Sequence, residues 1–252
     1  MSSDLCSRGA RPPASTPLVT AAPGPLAVLY QDDVLIVVNK PSGLSAHRGL
    51  ANEGGDYVLT RVRDMLQQQV YLVHRLDRAT SGAICLVRAP SHVEPMQRAF
   101  QDAQVDKRYL ALTRGKIPAE ITVDYAIPRS QERPKERVHA RTSFRSLAVF
   151  EDRYALVEAS PETGRYHQIR RHLSHLRCPI IGDTNYGDRK ENRLFRERFG
   201  LFRLVLHAWR FSFPHPVHGE RIDIRAPLLP DLALPLAAMG FPVDPKSGEL
   251  EV

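Results

Sequence analysis

Apolar positions along this chain switch repeatedly between a period near two and a period near 3.6, and the switches outline its elements. Residues 26–30 are mostly apolar, Gln31-Asp32-Asp33 turns the chain, and a β-branched run over 34–38 follows, which predicts a hairpin. Lys40-Pro41-Ser42-Gly43 stops it. Across residues 57–69, Val58, Val62, Met65 and Leu66 fall at helical spacing, whereas 83–87 has strand character. Ser91-x-x-Glu94 has the form of a capping box, and Pro95 lies early enough to be tolerated, so a helix is expected through about Gln104. Residues 107–114, 138–150, 154–159, 204–213 and 220–225 read as strands, the last two joined through Val217-His218-Gly219. Many strands with few helices between them predict an α+β fold with a mixed, largely antiparallel sheet and flanking helices. Residues 1–25 carry five prolines and little apolar pattern, and are expected to form a disordered tail ahead of a single domain over 26–252.

Composition narrows the class. The 252 residues are 42% hydrophobic and 25% charged, ordinary globular values, and the formal net charge of +7 hints at a polyanionic partner. Cys6, Cys85 and Cys178 are odd in number and far apart, which supports neither a disulfide framework nor a structural zinc site and fits a reducing cytoplasm. The longest apolar stretches, such as 35–38 and 232–239, are far shorter than the roughly 20 residues of a bilayer span.

Two segments concentrate polar chemistry. HRLDRATSG (74–82) crowds Arg75, Asp77 and Arg78 just before an apolar strand, which reads either as a cleft edge or as an ordinary surface ion pair. A kinase catalytic loop is excluded, because Leu76 separates Arg75 from Asp77 and no Asp follows Arg75 directly; no P-loop or His-Glu-x-x-His occurs either. The second segment, 163–186, sets Arg170, Arg171 and Arg177 around Ile169, Leu173 and Leu176, an apolar helix face beneath a basic one that is either solvated or contacts phosphates. His172 and His175 are three apart, but no carboxylate or Cys joins them at ligand spacing, so no metal is expected. Residues 129–145 and 189–203 each carry six Lys or Arg against two Glu; both read as loop-like, and as either solvated surface or phosphate grip.

HRLDRATSG (74–82), KRYLALTRG (107–115), TGRYHQIRRHL (163–173) and RLVLHAW (203–209) together resemble the blocks of the RluA-type pseudouridine synthase family, in family order over residues 26–227. The stretch 171–193 and KPSGLSAHRG (40–49) look more like the tRNA-modifying branch than its ribosomal relatives. The resemblance implies the pseudouridine synthase fold with a central RNA-binding cleft, and isomerisation of a uridine in RNA, most specifically position 65 in the T stem of tRNA. The reaction breaks the glycosidic bond, rotates the uracil and rejoins it through ring carbon five, so it is redox-neutral and needs no cofactor.

By the same resemblance Asp77 is the catalytic carboxylate. It must be ionised, and a carboxylate withdrawn from water needs an opposing cation, a role the family pattern gives to Arg165. A uridine in a duplex must be flipped out of the stack; Arg75 takes the gap, and Tyr109 stacks on the flipped base or takes its ring proton. Leu206 forms an apolar wall; Arg170 and Arg171, from their place on the basic helix face, are expected to contact the RNA backbone, and His74 and His207, as single histidines near loops, are expected to be structural. The expected partner is RNA, with no membrane and no obligate protein partner. A non-catalytic RNA-binding module and an RNA hydrolase are the alternatives; the first has no use for a paired Asp77, and the second needs a further carboxylate, His pair or metal.

Overall fold

The computed structural model describes residues 26–47 and 55–251, so the expected tail over 1–25 lies outside the described residues. The first half of the chain contributes β1 (Ala27–Gln31), β2 (Leu35–Lys40), α1 (Val58–Leu66), β3 (Tyr71–Leu72), β4 (Ser81–Val87), α2 (Val93–Gln101), β5 (Asp106–Arg114) and β6 (Glu120–Asp124). The second half contributes β7 (Ile127–Pro128), β8 (Arg137–Val138), β9 (Arg141–Phe150), β10 (Tyr154–Pro161), α3 (Gln168–His175), α4 (Arg189–Phe199), β11 (Leu206–Pro214), β12 (Arg221–Arg225) and α5 (Pro230–Ala238).

Continuous apolar runs in strands must be covered on both faces, and those of β2 and β4 are, both strands being buried at every position. Leu35, Val37, Ala83, Cys85 and Val87 point into one core with Met96 and Ala99 of α2. Their neighbours Ile36, Val38, Ile84 and Leu86 point into another with Val58 and Val62 of α1. A third core gathers β5 and β10 beneath Ile169 and Leu173 of α3, Phe195 of α4, and Leu232 and Leu236 of α5. The main sheet runs β1-β2-β4-β11-β5-β10-β9-β6, with β12 on β11 and β3 on β4. Its pairings are antiparallel except β4 with β11, which run parallel over two residue pairs, Ser81 with His207 and Gly82 with Ala208. This is the expected α+β architecture, and the parallel seam joins its two halves. A Cβ on Gly82 would lie 2.3 Å from the Ala208 carbonyl oxygen, and the residue has φ +113°, so only glycine admits the approach.

Three local expectations change. Ser91 does not cap α2: Pro90 opens a 3-10 turn over Pro90–His92 with Ala89 as its extended N-cap, so Ser91 already lies inside a helical turn, and α2 ends at Gln101. The strand expected over 138–150 breaks at His139 and Ala140, where the chain leaves the small β7–β8 hairpin for the main sheet. The basic stretch 189–203 is not loop-like. Its first eleven residues are α4, capped by Asp188, whose side chain accepts from the Lys190 and Glu191 amides, and ended by Gly200 in the left-handed region. The apolar stretch near 232–239 falls largely in α5, which buries Leu232, Ala233, Pro235 and Leu236, and, as its length implies, no helix among the described residues is long and apolar enough to cross a bilayer.

Candidate active site

The loop before β4 is held at almost every residue. His74 accepts the Cys85 amide on Nε2 and packs between Phe100 and Phe211, its ring 5.0 Å from each. Leu76 is buried, the Arg78 Nε donates to the Gly43 carbonyl, and the Thr80 amide closes a turn onto the Asp77 carbonyl. Ser81 then hydrogen-bonds His207 Nδ1 at 2.8 Å and receives Arg203 at 2.7 Å, locking the seam. From the other side the buried Lys40 ammonium donates to the carbonyls of Pro41, Leu44 and Arg78, tying the turn after β2 to the same loop. Burial pushes His74 and His207 down to about 3, so both rings are neutral and serve the scaffold, as expected.

That loop presents Asp77 to a cleft of about 330 Å³ at the seam, lined also by Arg75, Tyr109, Arg165, Arg170 and Leu206. Six of the seven residues singled out in the sequence therefore converge; Arg171 does not line the cleft. Arg75 is exposed at the cleft and makes no ion pair among the described residues. Tyr109 is pushed up, by burial and then by the charge of Asp77, and stays a protonated phenol.

The countercharge falls to a different arginine from the one expected. Arg165 is exposed, and its Nε donates to the His139 carbonyl at 3.1 Å. Arg170 instead places Nη1 3.9 Å from Asp77 Oδ2 while its Nε and Nη2 grip Asp183 at 2.7 and 2.8 Å. The cause is helical: α3 begins at Gln168, so Arg170 is carried inward with Ile169, whereas Arg165 precedes the bend at His167. Arg170 is 6% exposed and is not a phosphate-facing side chain. Arg171 is likewise committed, donating to Tyr186 Oη at 2.9 Å and the Pro128 carbonyl at 2.7 Å.

Burial pushes Asp183 up, but the Arg170 hydrogen bonds and charge, with the amides of Tyr186 and Asn185, hold it below the ordinary carboxylate range. Asp183 and His167, whose Nε2 lies 3.6 Å from Asp77 Oδ2, are site residues that the sequence does not single out. An acidic residue in a basic segment is the available signal for Asp183. His172, whose spacing from His175 raises the question of a metal, uses both ring nitrogens on Thr142 Oγ1 and the Tyr125 carbonyl. Of the basic surfaces, Arg203 is buried in the seam, and Arg198, Arg141 and Arg129 sit in ion pairs with Glu151, Glu162 and Glu136. These exposed pairs are screened by solvent and salt.

A carboxylate facing a buried arginine and a phenol, on a mixed sheet split by a parallel seam, matches one class of RNA-modifying enzyme. Residues 34–175 match the family model described as RNA pseudouridylate synthase, and the chain belongs to that family, isomerising uridine in RNA. Among its relatives, tRNA pseudouridine synthase C of Vibrio parahaemolyticus is 38% identical over 226 residues, covering 81% of this chain and 91% of that protein. The protein of the same name from Haemophilus ducreyi is 38% identical over 219 residues, covering 80% and 90%. The solved structure of human RNA Pseudouridylate Synthase Domain Containing 4 superposes with a TM-score of 0.71 at 28% identity, covering 85% of this chain and 93% of that one.

Proposed function

We propose that the protein converts a tRNA uridine to pseudouridine, the T-stem uridine at position 65 being the expected target, with Asp77 as the catalytic carboxylate. The observation that carries this reading is the Asp77–Arg170 pair in a cleft walled by Tyr109 and Leu206. Arg170 supplies the positive charge that an ionised carboxylate requires, and Asp183 aims it. The flipped uracil stacks on Tyr109 against Leu206, and Arg75, exposed at the cleft, fills the space left in the RNA stack. Arg165, exposed at the rim, contacts the RNA rather than the carboxylate. The names of the relatives, which include tRNA, support the tRNA substrate, and a cytoplasmic setting is proposed with it. The isomerisation is redox-neutral and so calls for no cofactor.

The test is to incubate the purified chain with unmodified tRNA transcripts and with ribosomal RNA fragments, and to map pseudouridine by mass spectrometry. Pseudouridine in the tRNA T stem, abolished by Asp77→Asn with RNA affinity nearly unchanged, is the expected result. Modification of ribosomal RNA alone removes the tRNA substrate, and Asp77→Asn activity within tenfold of wild type removes Asp77 from the chemistry.

A further inference from the structure

The loop between α3 and α4 acts on the cleft through other side chains. Asp183 holds Arg170, and Asn192 of α4 pins the loop by accepting the Gly182 amide and donating to the Asp183 carbonyl. Tyr186, three residues on, has its hydroxyl 2.9 Å from Arg171 Nε and 3.1 Å from His167 Nδ1. A guanidinium can only donate, so the Tyr186 oxygen accepts from Arg171. The Tyr186 hydroxyl proton can then be turned onto His167 Nδ1, 3.1 Å away. A neutral imidazole that accepts on Nδ1 must carry its own proton on Nε2, the nitrogen 3.6 Å from Asp77 Oδ2.

We infer that Arg171 and Tyr186 fix the tautomer of His167 so that its Nε2–H is presented to Asp77, making His167 a positioning residue for the carboxylate. The inference rests on Asp77 being the catalytic carboxylate. Backbone and neighbours both hold the ring in place. His167 stands in the left-handed region at φ 55°, ψ 27°, its imidazole stacked on Tyr166 at 3.7 Å and edge-on to Tyr186. That backbone conformation is one His tolerates better than most side chains. The charged and titratable groups around it are Asp77, Arg170, Arg171, Asp183, Tyr166 and Tyr186. Burial, against the pull of Asp77 and with Arg170 and Arg171 opposing a further positive charge, pushes its pKa down to about 4. The ring is therefore neutral at pH 7, where the tautomer decides what it offers. A separation of 3.6 Å is longer than a hydrogen bond, and such contacts tighten when substrate closes on the site.

Two measurements test this. Long-range proton–nitrogen NMR of the full-length, 15N-labelled protein without RNA reads the tautomer, the His167 signal being the one lost in His167→Asn. Wild type should show Nε2–H at pH 7, and Tyr186→Phe a mixture of tautomers. Single-turnover kinetics with saturating tRNA transcript should show Tyr186→Phe slowed about tenfold, equivalent to one lost hydrogen bond, with RNA affinity within about twofold. His167→Gln, which keeps an N–H donor of similar reach, should be faster than His167→Met. A wild-type ring protonated on Nδ1 or on both nitrogens overturns the inference. So does a Tyr186→Phe rate within twofold of wild type, or a His167→Gln rate no better than His167→Met. If Asp77→Asn remains active, the carboxylate reading fails instead, and the tautomer measurement stands independently of it.

Discussion

Replacing Arg170 by Met should remove part of the protein's stability together with its activity, and a second substitution should separate the two. The Arg170 and Asp183 side chains are 7% and 0% exposed and share two hydrogen bonds at 2.7 and 2.8 Å. Removing one member of such a pair strands the other charge in the interior, at a cost of about 3–5 kcal/mol. Against a typical domain stability of about 5–15 kcal/mol that is a large fraction. Asp183→Asn in the same chain removes the stranded charge yet keeps an oxygen for the Asn185 and Tyr186 amides, which lie 2.9 and 3.0 Å from Asp183 Oδ1. The double variant should therefore recover most of the loss, lying within about 2 kcal/mol of wild type. Activity should stay absent in both variants, because neither restores the charge beside Asp77. Urea unfolding followed through the single tryptophan, with single-turnover pseudouridine formation on the same samples, makes the comparison. An Arg170→Met loss below about 1 kcal/mol, or a double variant no more stable than the single, refutes the buried-pair argument.

Arg165→Met, by contrast, should change stability by no more than about 0.5 kcal/mol, since the side chain is exposed and makes one bond to a carbonyl; weaker RNA binding with near-normal turnover at saturation is expected, and lost turnover would return the countercharge to Arg165. Lowering the pH from 7 to 5 should destabilise the fold. His74 and His207 are held near 3 by burial against 6.5 for the free side chain, so the unfolded chain takes up protons first and stability falls as pH drops below 6.5, by roughly 2 kcal/mol per histidine at pH 5. A urea midpoint unchanged between those pH values would count against it. Gly82→Ala drives a Cβ to 2.3 Å from the Ala208 carbonyl oxygen at φ +113° and should cost about 3 kcal/mol, roughly 6–12 °C in Tm. A thermal melt within about 2 °C of wild type would show that the seam can open there.

The elements legible in the sequence are those whose neighbours matter least to their pattern. The continuous apolar runs of β2 and β4 announce strands covered on both faces, and Val58 and Val62 announce the buried side of α1. Helix α4 escapes such a reading because RKENRLFRERF buries only Glu191 and Phe195, so its charge hides its period; Asp188 before it and Gly200 after it are the readable signals. The site divides similarly. Six of its residues are legible through the family resemblance, since each lies in a contiguous motif. Which arginine faces Asp77 depends on where α3 begins and on Asp183 in the following loop, and no linear spacing records that. The same holds for His167, whose partner Tyr186 is 19 residues away.

The seam between β4 and β11 also sets when this enzyme can first exist. Ser81 and His207 are 126 residues apart, and a ribosome adding about 5–20 residues per second needs roughly 6–25 s to deliver the second after the first. Throughout that interval the strand following Asp77 has an open edge, Ser81 lacks both His207 and Arg203, and the Leu206 wall of the cleft has not been made. Asp77 emerges early and waits. A nascent chain, or one broken off before β11, carries the carboxylate without the pocket that would let it meet a uridine. Its apolar open edge is the kind of surface that chaperones and proteases recognise. Chemistry on RNA is thereby withheld until synthesis of the core is almost complete.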